Sequence, residues 1–245
     1  HYADAHLRGV ITESSPPLMT MSLEQIAQAV QGWLIAGTAA IDTPVATSTF
    51  TDSRQIVEGS VFVAIAGERV DGHDYVSKVG AQGAVAAIVD HEIDGAGVPQ
   101  IVVEDTVLAL GALAKHNIER RRALETPITV IGITGSVAKT TTKELKKAML
   151  PHIGPTIAPV GSFNNEIGLP LTSLKVHAET RFLIAEMGAN HVGEIANLTS
   201  LVPPDIAVVL KVGVAHLGEF GSPERIAQAK SEIIRGLVPG GLSVL

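Results

Sequence analysis

Residues 128–142 read Ile-Thr-Val-Ile-Gly-Ile-Thr-Gly-Ser-Val-Ala-Lys-Thr-Thr-Thr, an order typical of a buried strand, a tight loop of small residues and the start of a helix. Backbone N–H groups at such a helix N-terminus point at an anion, and the helix dipole favours negative charge there. Lys139 adds a cation for terminal phosphates, and the Thr140 hydroxyl suits Mg²⁺. The segment therefore predicts a phosphate-binding loop made of Gly135, Ser136, Val137, Ala138, Lys139, Thr140 and Thr141.

Ala138 departs from the usual pattern of such loops, in which the residue before the lysine is glycine. The longer form of the pattern also fails at Ile133, where a first glycine is expected. Glycine serves where the backbone takes a positive φ or approaches a ligand closely. With a positive φ, alanine costs about 1–2 kcal/mol, whereas with a negative φ it is harmless. The alternative interpretation is an ordinary strand-to-helix turn with a surface lysine.

The composition favours an α/β protein. Of the 245 residues, 46% are hydrophobic and only 3% aromatic, so Ala, Val, Ile and Leu dominate the core, as in parallel strands covered by helices. A net charge of −7 argues against nucleic-acid binding, and the absence of cysteine excludes disulfides and thiolate metal sites. Because the N-terminus lacks a signal-peptide pattern and no apolar run approaches about 20 residues, we expect a cytoplasmic protein without a membrane span.

Strand and helix patterns alternate along the chain and predict two α/β units. We expect a flexible arm over 1–20, a small α/β domain over 21–105, a connecting helix and linker over 106–126, and a domain with a mostly parallel sheet over 127–245. Helices are predicted at 23–31, 75–82, 106–124, 139–150 and 223–237, and strands at 48–51, 60–65, 84–89, 100–103, 128–134, 156–160, 182–185, 206–210 and 242–245. A doubly wound sheet should continue beyond the last strand, so we expect a truncated chain.

Three polar residues of the second half are candidates for metal chemistry. Glu186 and His216 follow predicted strands, and the carboxyl ends of parallel strands are where ligands bind in such sheets. Lys230 lies on a predicted apolar helix stripe with Ile226, Ile233, Ile234 and Leu237. A buried lysine is expensive unless it is paired or neutral. The alternatives are a structural histidine and a lysine whose ammonium reaches solvent past the edge of the core.

Further polar groups lie near predicted strand or helix ends. Asn164 with Asn165, and Asn190 with His191, are candidates for ligand contacts or simple helix capping. In Thr51-Asp52-Ser53-Arg54, the planar fork of Arg54 suits a phosphate and Ser53 can donate a hydrogen bond, although an Asp-Ser turn with a solvated arginine is equally simple. Asp71-Gly72-His73 predicts a turn, and Arg120-Arg121-Arg122 predicts a solvated helix end.

Taken in order, these motifs resemble the Mur ligase family of peptidoglycan synthesis from about residue 21 to the end. Glu-Met-Gly-Ala-Asn-His at 186–191 points to the branch that joins D-Ala-D-Ala to UDP-N-acetylmuramoyl-tripeptide (UDP-MurNAc-tripeptide). The resemblance is carried by residues 51–54, 67–73, 132–142, 163–168, 186–191, 213–217 and 229–232.

The resemblance implies roles for the candidate residues. The first domain would bind the UDP-sugar near Ser53 and Arg54, with Asn164, Asn190 and His191 as further substrate contacts. The phosphate loop, with Lys139 and Asn165, would bind ATP. Two Mg²⁺ ions would be held by Thr140, Glu186, His216 and Lys230. Carbamylation of Lys230 would explain a lysine on an apolar stripe, because the carbamate is an anion that can bind metal.

The resemblance also implies a reaction. The tripeptide carboxylate attacks the γ-phosphate of ATP to give an acyl phosphate, and the amine of D-Ala-D-Ala then displaces phosphate. Members of the family continue into a third domain, so we expect this chain, as a monomeric fragment, to lack full activity. The alternative is a catalytically weak or silent homologue that binds nucleotide or UDP-sugar, in which Ala138 weakens ATP binding and the third domain is missing.

Overall fold

The computed structural model describes residues 19–135, 137–149, 152–161, 163–188, 191–210 and 223–245. Within these ranges lie two five-stranded sheets, one in each half of the chain. The α/β class predicted from the sequence is confirmed. No helix in the described ranges is long and apolar enough to cross a membrane.

The first sheet is mixed. Its strands are β1 (Trp33–Ile35), β2 (Ser48–Phe50), β3 (Ser60–Val63), β4 (Ala86–Val89) and β5 (Gln100–Val102). Strands β2 to β5 are parallel, and β1 pairs antiparallel with β5 at the edge. The edge strand β1 was not predicted, because it is three residues long and opens on Trp33, whose side chain is largely exposed.

Two short helices accompany this sheet. Helix α1 (Leu23–Val30) begins at the predicted capping box, in which Ser22 and Gln25 exchange side-chain and backbone hydrogen bonds. The predicted helix at 75–82 is instead a 3₁₀ turn, one turn of α-helix as α2 (Val76–Val79), and a second 3₁₀ turn. Another 3₁₀ turn, Ser53–Gln55, follows β2 and carries the predicted substrate-binding pair.

The long helix α3 (Thr106–Arg122) lies between the two sheets and packs against α1 on one side and against elements of the second half on the other. Its first turn is capped by Asp105, whose carboxylate accepts from two backbone N–H groups. A Cβ at Gly111 would lie 3.0 Å from a Leu201 methyl, so glycine here allows close packing. Because α3 packs against both halves, the domain boundaries at 105–106 and 126–127 stay a prediction.

The prediction of a solvated arginine cluster at the end of α3 is wrong. Arg121 is fully buried and donates to the carbonyl oxygens of Thr126 and Thr180, each at 2.6 Å. Arg122 donates to Pro203 O at 2.6 Å and pairs with Asp205 at 3.0 Å. Apart from Thr126, these acceptors are distant in sequence, and the contacts stabilise the junction of α3 with the second half.

The second sheet is parallel throughout. Its strands are β6 (Thr129–Thr134), β7 (Thr156–Ile157), β8 (Phe182–Glu186), β9 (Ile206–Val209) and β10 (Leu242–Val244). Strand β6 is central, so its carboxyl end lies between those of β8 and β9. The helices of this half are α4 (Ala138–Met149), α5 (Gly168–Ser173), α6 (Glu194–Leu201) and α7 (Pro223–Arg235).

The apolar stripe predicted on α7 is partly wrong. Ile233 is fully buried, but Ile234 is 37% exposed, and the acidic Glu232 is only 7% exposed. Lys230 is half-buried, while the side chain of Ile226 lies outside the described residues. Helix α7 therefore buries Glu232 and Ile233 against its neighbours. Its main contact is with α6.

Candidate functional site

The predicted phosphate loop lies at the carboxyl end of the central strand β6. Gly135 follows the strand with φ of +127°, and a Cβ there would lie 2.6 Å from the Leu210 carbonyl oxygen. Both facts require glycine at this position. Val137 is half exposed, and Ser136 lies outside the described residues.

Ala138 is the first residue of α4, and its backbone is unstrained. Among the described non-glycine residues, positive φ occurs at Gln31 alone, so φ at Ala138 is negative. Its methyl group is 3% exposed and packs in a small cluster with Ile133 and Ile184. The alanine therefore fills the core beneath the loop at no conformational cost.

The first turn of α4 carries the residues predicted to bind phosphate. Lys139 and Thr140 are exposed there, and Thr141 is half-buried behind them. Burial raises the pKa of the Glu186 carboxyl, and the positive charge of Lys139 is close enough to oppose that rise. The structure thus brings Lys139 and Glu186 together, as the sequence predicted for residues at the carboxyl edge of the sheet.

Glu186 is the last residue of β8 and lies opposite Ile133 of β6. It is 6% exposed, and its Oε2 atom is buried without a hydrogen-bond partner among the described residues. Burial raises the pKa of this carboxyl above its usual range, against a hydrogen bond from Asn164 and the charge of Lys139. An unsatisfied, desolvated carboxylate oxygen is suited to receive a cation.

The two asparagines before α5 have different surroundings. Asn164 bonds to Glu186, and its carbonyl oxygen accepts from Gly188 N at 2.8 Å. A Cβ at Gly188 would lie 2.6 Å from Asn164 Nδ2, so this residue must be small. Asn165 Oδ1 accepts from the N–H groups of Ile167 and Gly168, which is the capping role weighed as its alternative.

The other predicted residues of this half are only partly described. His191 is exposed, and its Nδ1 lies 3.0 Å from a carboxylate oxygen of Glu194. Asn190 and His216 lie outside the described residues, so a metal shared by His216 and Lys230 stays a prediction. A cavity of about 380 Å³ lies beside the site, with Asn165, Gly188 and Glu194 among its lining residues.

Glu232 is a residue of this region that the sequence analysis did not single out. Its Oε1 atom accepts from Gly193 N at 2.9 Å and from Ala196 N at 3.1 Å, at the start of α6. The sequence signal was an acidic residue next to the buried Ile233 on an amphipathic helix. That signal does not identify the partner, which is more than 30 residues away.

A second cleft lies in the first half and has a volume of about 440 Å³. Arg54 and Asp52 form a bidentate pair there, with Nε–Oδ1 at 3.0 Å and Nη2–Oδ2 at 2.8 Å. The hydrogen bonds from Arg54 lower the pKa of Asp52. The cleft is lined by Thr51, Asp52, Ser53, Arg54, Phe62, Ile65, Val70, Gly72 and Tyr75.

The predicted turn at Asp71 also contains a buried histidine. His73 is 5% exposed, its Nδ1 lies 2.7 Å from Asp71 Oδ1, and its Nε2 accepts from Asp90 N at 3.0 Å. The His91 ring stacks on His73 with centroids 4.8 Å apart and pairs with the Asp90 carboxylate. Because Asp71 and the Asp90 N–H already engage both ring nitrogens of His73, this group is a hydrogen-bonded network rather than a metal centre.

Comparison with known proteins matches both halves of the chain to one family. Residues 133–245 match the Mur ligase middle domain, and residues 47–118 match the catalytic domain of the Mur ligase family. The chain belongs to the Mur ligase family.

Relatives within the Mur ligase family are named UDP-N-acetylmuramoyl-tripeptide–D-alanyl-D-alanine ligases. The protein from Haemophilus influenzae is 40% identical over 93% of this chain and 49% of its own length. The one from Mycobacterium tuberculosis H37Rv is 41% identical over 93% of this chain and 48% of its own length. The chain therefore spans about half the length of the curated relatives it matches.

Solved structures of Mur ligases have the same fold. A crystal structure of MurF from Acinetobacter baumannii matches with a TM-score of 0.79 and 40% identity, over 93% of this chain and 49% of that one. MurF ligase from Thermotoga maritima in complex with ADP matches with a TM-score of 0.68 and 36% identity, over 81% of this chain and 45% of that one.

Proposed function

We propose that the protein is an ATP-dependent ligase that joins D-Ala-D-Ala to UDP-MurNAc-tripeptide. The observation that carries the proposal is the buried, unsatisfied Glu186 carboxylate beside Lys139 at the phosphate loop. It occurs in a chain that is about 40% identical to ligases named for this reaction. Catalytic roles are assigned to Lys139, Glu186, His216 and Lys230.

The donor set of the second half fits Mg²⁺. Glu186 offers a carboxylate oxygen that no described group satisfies, and Thr140 offers a hydroxyl on the facing helix turn. We assign one Mg²⁺ to these two residues and a second to His216 and a carbamylated Lys230. When bound at these residues, the cations would neutralise negative charge that develops on the phosphoryl group and on the leaving oxygen.

In the proposed reaction, the chain orients substrates rather than forming covalent bonds with them. The loop amides and Lys139 hold the phosphates of ATP so that the substrate carboxylate can attack the γ-phosphorus in line with the departing ADP oxygen. The amine of D-Ala-D-Ala then attacks the acyl carbon of the acyl phosphate. The C–N bond forms, inorganic phosphate leaves, and the nitrogen gives up a proton. Asn164 keeps Glu186 oriented throughout, with Asn190 and His191 at the substrate.

The first half is assigned to the UDP-sugar, at the cleft of Ser53 and Arg54. Arg54 suits a phosphate because its fork already matches two oxygens of Asp52. Substrate binding would therefore exchange one bidentate partner of Arg54 for another.

A cytoplasmic location belongs to the same proposal, because ATP and UDP-linked substrates are cytoplasmic metabolites. We also propose a monomeric state. Cell fractionation and light scattering test these two points. Recovery in a membrane or extracellular fraction contradicts the first, and a mass that is a multiple of the chain mass contradicts the second.

The decisive test is a ligation assay on the natural polypeptide in which this sequence occurs. With MgATP, UDP-MurNAc-tripeptide and D-Ala-D-Ala, mass spectrometry should show UDP-MurNAc-pentapeptide together with equal amounts of ADP and phosphate. Leaving out either peptide substrate should abolish the pentapeptide. Lys139→Ala should abolish turnover, whereas Lys143→Ala, an exposed lysine on the same helix, should not. Absence of pentapeptide at saturating substrates contradicts the proposal.

A silent homologue was the alternative, and one ground for it was strain or crowding at Ala138. The negative φ and buried methyl of Ala138 remove the strain. The matched test is Ala138→Gly in the same assay, which should leave turnover within about twofold of the parent. A large gain in turnover would favour the silent homologue.

A further inference from the structure

The N-cap residue of helix α6 is Gly193, which has no side chain to cap the helix. Gly193 has a φ of +92°, and Glu194 in the first turn accepts from His191 N, which lies before the helix. The cap comes instead from α7, where Glu232 Oε1 accepts from both Gly193 N and Ala196 N. One carboxylate oxygen thus joins the start of α6 to the last turn of α7.

Burial of a carboxylate is costly unless hydrogen bonds replace its water shell. Glu232 is 7% exposed, so its carboxylate depends on the two backbone donors. The positive end of the α6 dipole adds to these charge-assisted bonds. The contact is therefore strong only while α6 and α7 keep their relative placement.

Packing already holds the other end of α6 against the residue that follows α7. A Cβ at Gly236, just past α7, would lie 2.2 Å from Thr199, so the helices touch closely there. Glu232 therefore has a separate effect, which is to fix the beginning of α6. This end of α6 follows the loop from β8, and that loop connects Glu186 to His191.

We propose that Glu232 is a positioning residue, which holds the Lys230-bearing helix in register with the β8–α6 loop. The inference rests on the proposed function, since that function assigns Glu186, His191 and Lys230 to one reaction. Glu232 acts through backbone groups and does not touch substrate.

The test compares Glu232→Ala with Glu232→Gln in the natural polypeptide. The amide oxygen of glutamine keeps an acceptor of the same length, so Gln should restore most of what Ala removes. Glu224→Ala is the matched control, because Glu224 is an exposed acid in the first turn of the same helix.

Three measurements separate positioning from general stability. In Glu232→Ala, amide hydrogen exchange at Gly193 and Ala196 should speed up at least tenfold at a temperature where the protein stays folded. The kcat of ligation should fall at least tenfold, with the KM for UDP-MurNAc-tripeptide within twofold, because that substrate is assigned to the first half. MgATP affinity should fall about threefold to tenfold.

Each result decides the inference. Unchanged exchange at Gly193 and Ala196 overturns it, because the capping contact would then not hold α6. Faster exchange with unchanged kcat and MgATP affinity also overturns it, since Glu232 would be structural only. If the parent protein binds MgATP but forms no pentapeptide, the ligase proposal fails, and the exchange and affinity data still decide the role of Glu232.

Discussion

The two sheets treat their polar groups differently. In the first half, the ionisable side chains near the cleft are paired or hydrogen-bonded, as in Arg54 with Asp52 and His73 with Asp71. In the second half, Glu186 at the carboxyl edge of the sheet keeps a buried oxygen without a hydrogen-bond partner among the described residues. The first site is satisfied without its ligand, whereas the second is not.

The two sites therefore differ in the energetic cost of binding a ligand. A phosphate that binds Arg54 must compete with an exposed ion pair, and such pairs are worth only about 0–1 kcal/mol. A cation that binds Glu186 completes a desolvated carboxylate, for which the cost of burial has already been met during folding. The second site should therefore be less stable and more responsive to its ligand.

Among these variants, Glu186→Gln should produce the largest effect. A small effect would contradict the difference described between the two sites. Loss of the carboxylate should lower turnover about 100-fold or more, since charge stabilisation in such sites is worth about 3 kcal/mol. The ligand-free variant should also melt about 2–4 °C higher at pH 7, for a gain of about 1 kcal/mol.

The pH dependence checks the cause of that gain. Because burial raises the folded-state pKa of Glu186, its stabilising contribution is complete below the unfolded value and is lost as the pH rises through the raised pKa. The melting advantage of Glu186→Gln should therefore vanish below about pH 4. An equal advantage at all pH values, followed by calorimetry, would assign it to packing instead.

Lys139→Ala should weaken MgADP binding to the 245-residue chain by about 10-fold to 100-fold, the usual value of one charge-assisted contact. Titration calorimetry measures this directly. Lys143→Ala on the same helix is the control and should change affinity less than threefold. Equal losses in both variants would mean that the nucleotide senses only the net charge of α4.

Ala138→Gly sharpens the comparison within the second site. Glycine at the start of α4 should destabilise the chain by about 1 kcal/mol, because alanine there is unstrained and its methyl is buried. Urea unfolding measures the change. A more stable glycine variant would show that Ala138 is strained after all.

Asp52→Asn should have the smallest effect. It releases Arg54 from its bidentate partner, so affinity for UDP should rise about twofold to threefold while stability changes by less than about 1 kcal/mol. Fluorescence competition at low salt measures the affinity. A loss of affinity would mean that Asp52 orients Arg54 toward the ligand rather than competing with it.

Features with local signals were predictable from the sequence. The capping box of α1, the strand, loop and helix of residues 129–149 and the placement of Glu186 at a strand end each depend on residues adjacent in the chain. The burial and hydrogen bonds of Arg121 and Glu232 could not be predicted from the sequence, because their partners lie up to 59 and 39 residues away. A helix pattern predicts which face is apolar, but it cannot identify the carbonyl or N–H group that will meet a charged side chain.

The arginines of α3 have an evolutionary consequence. Arg120, Arg121 and Arg122 all donate to main-chain carbonyls, those of Met19, Thr126, Thr180 and Pro203 among them. Every residue type carries a carbonyl, so substitutions at the accepting positions leave the acceptors in place. Sequence drift should thus be tolerated on the accepting side of this junction and not at Arg121, where lysine would lose the fork that reaches two segments at once.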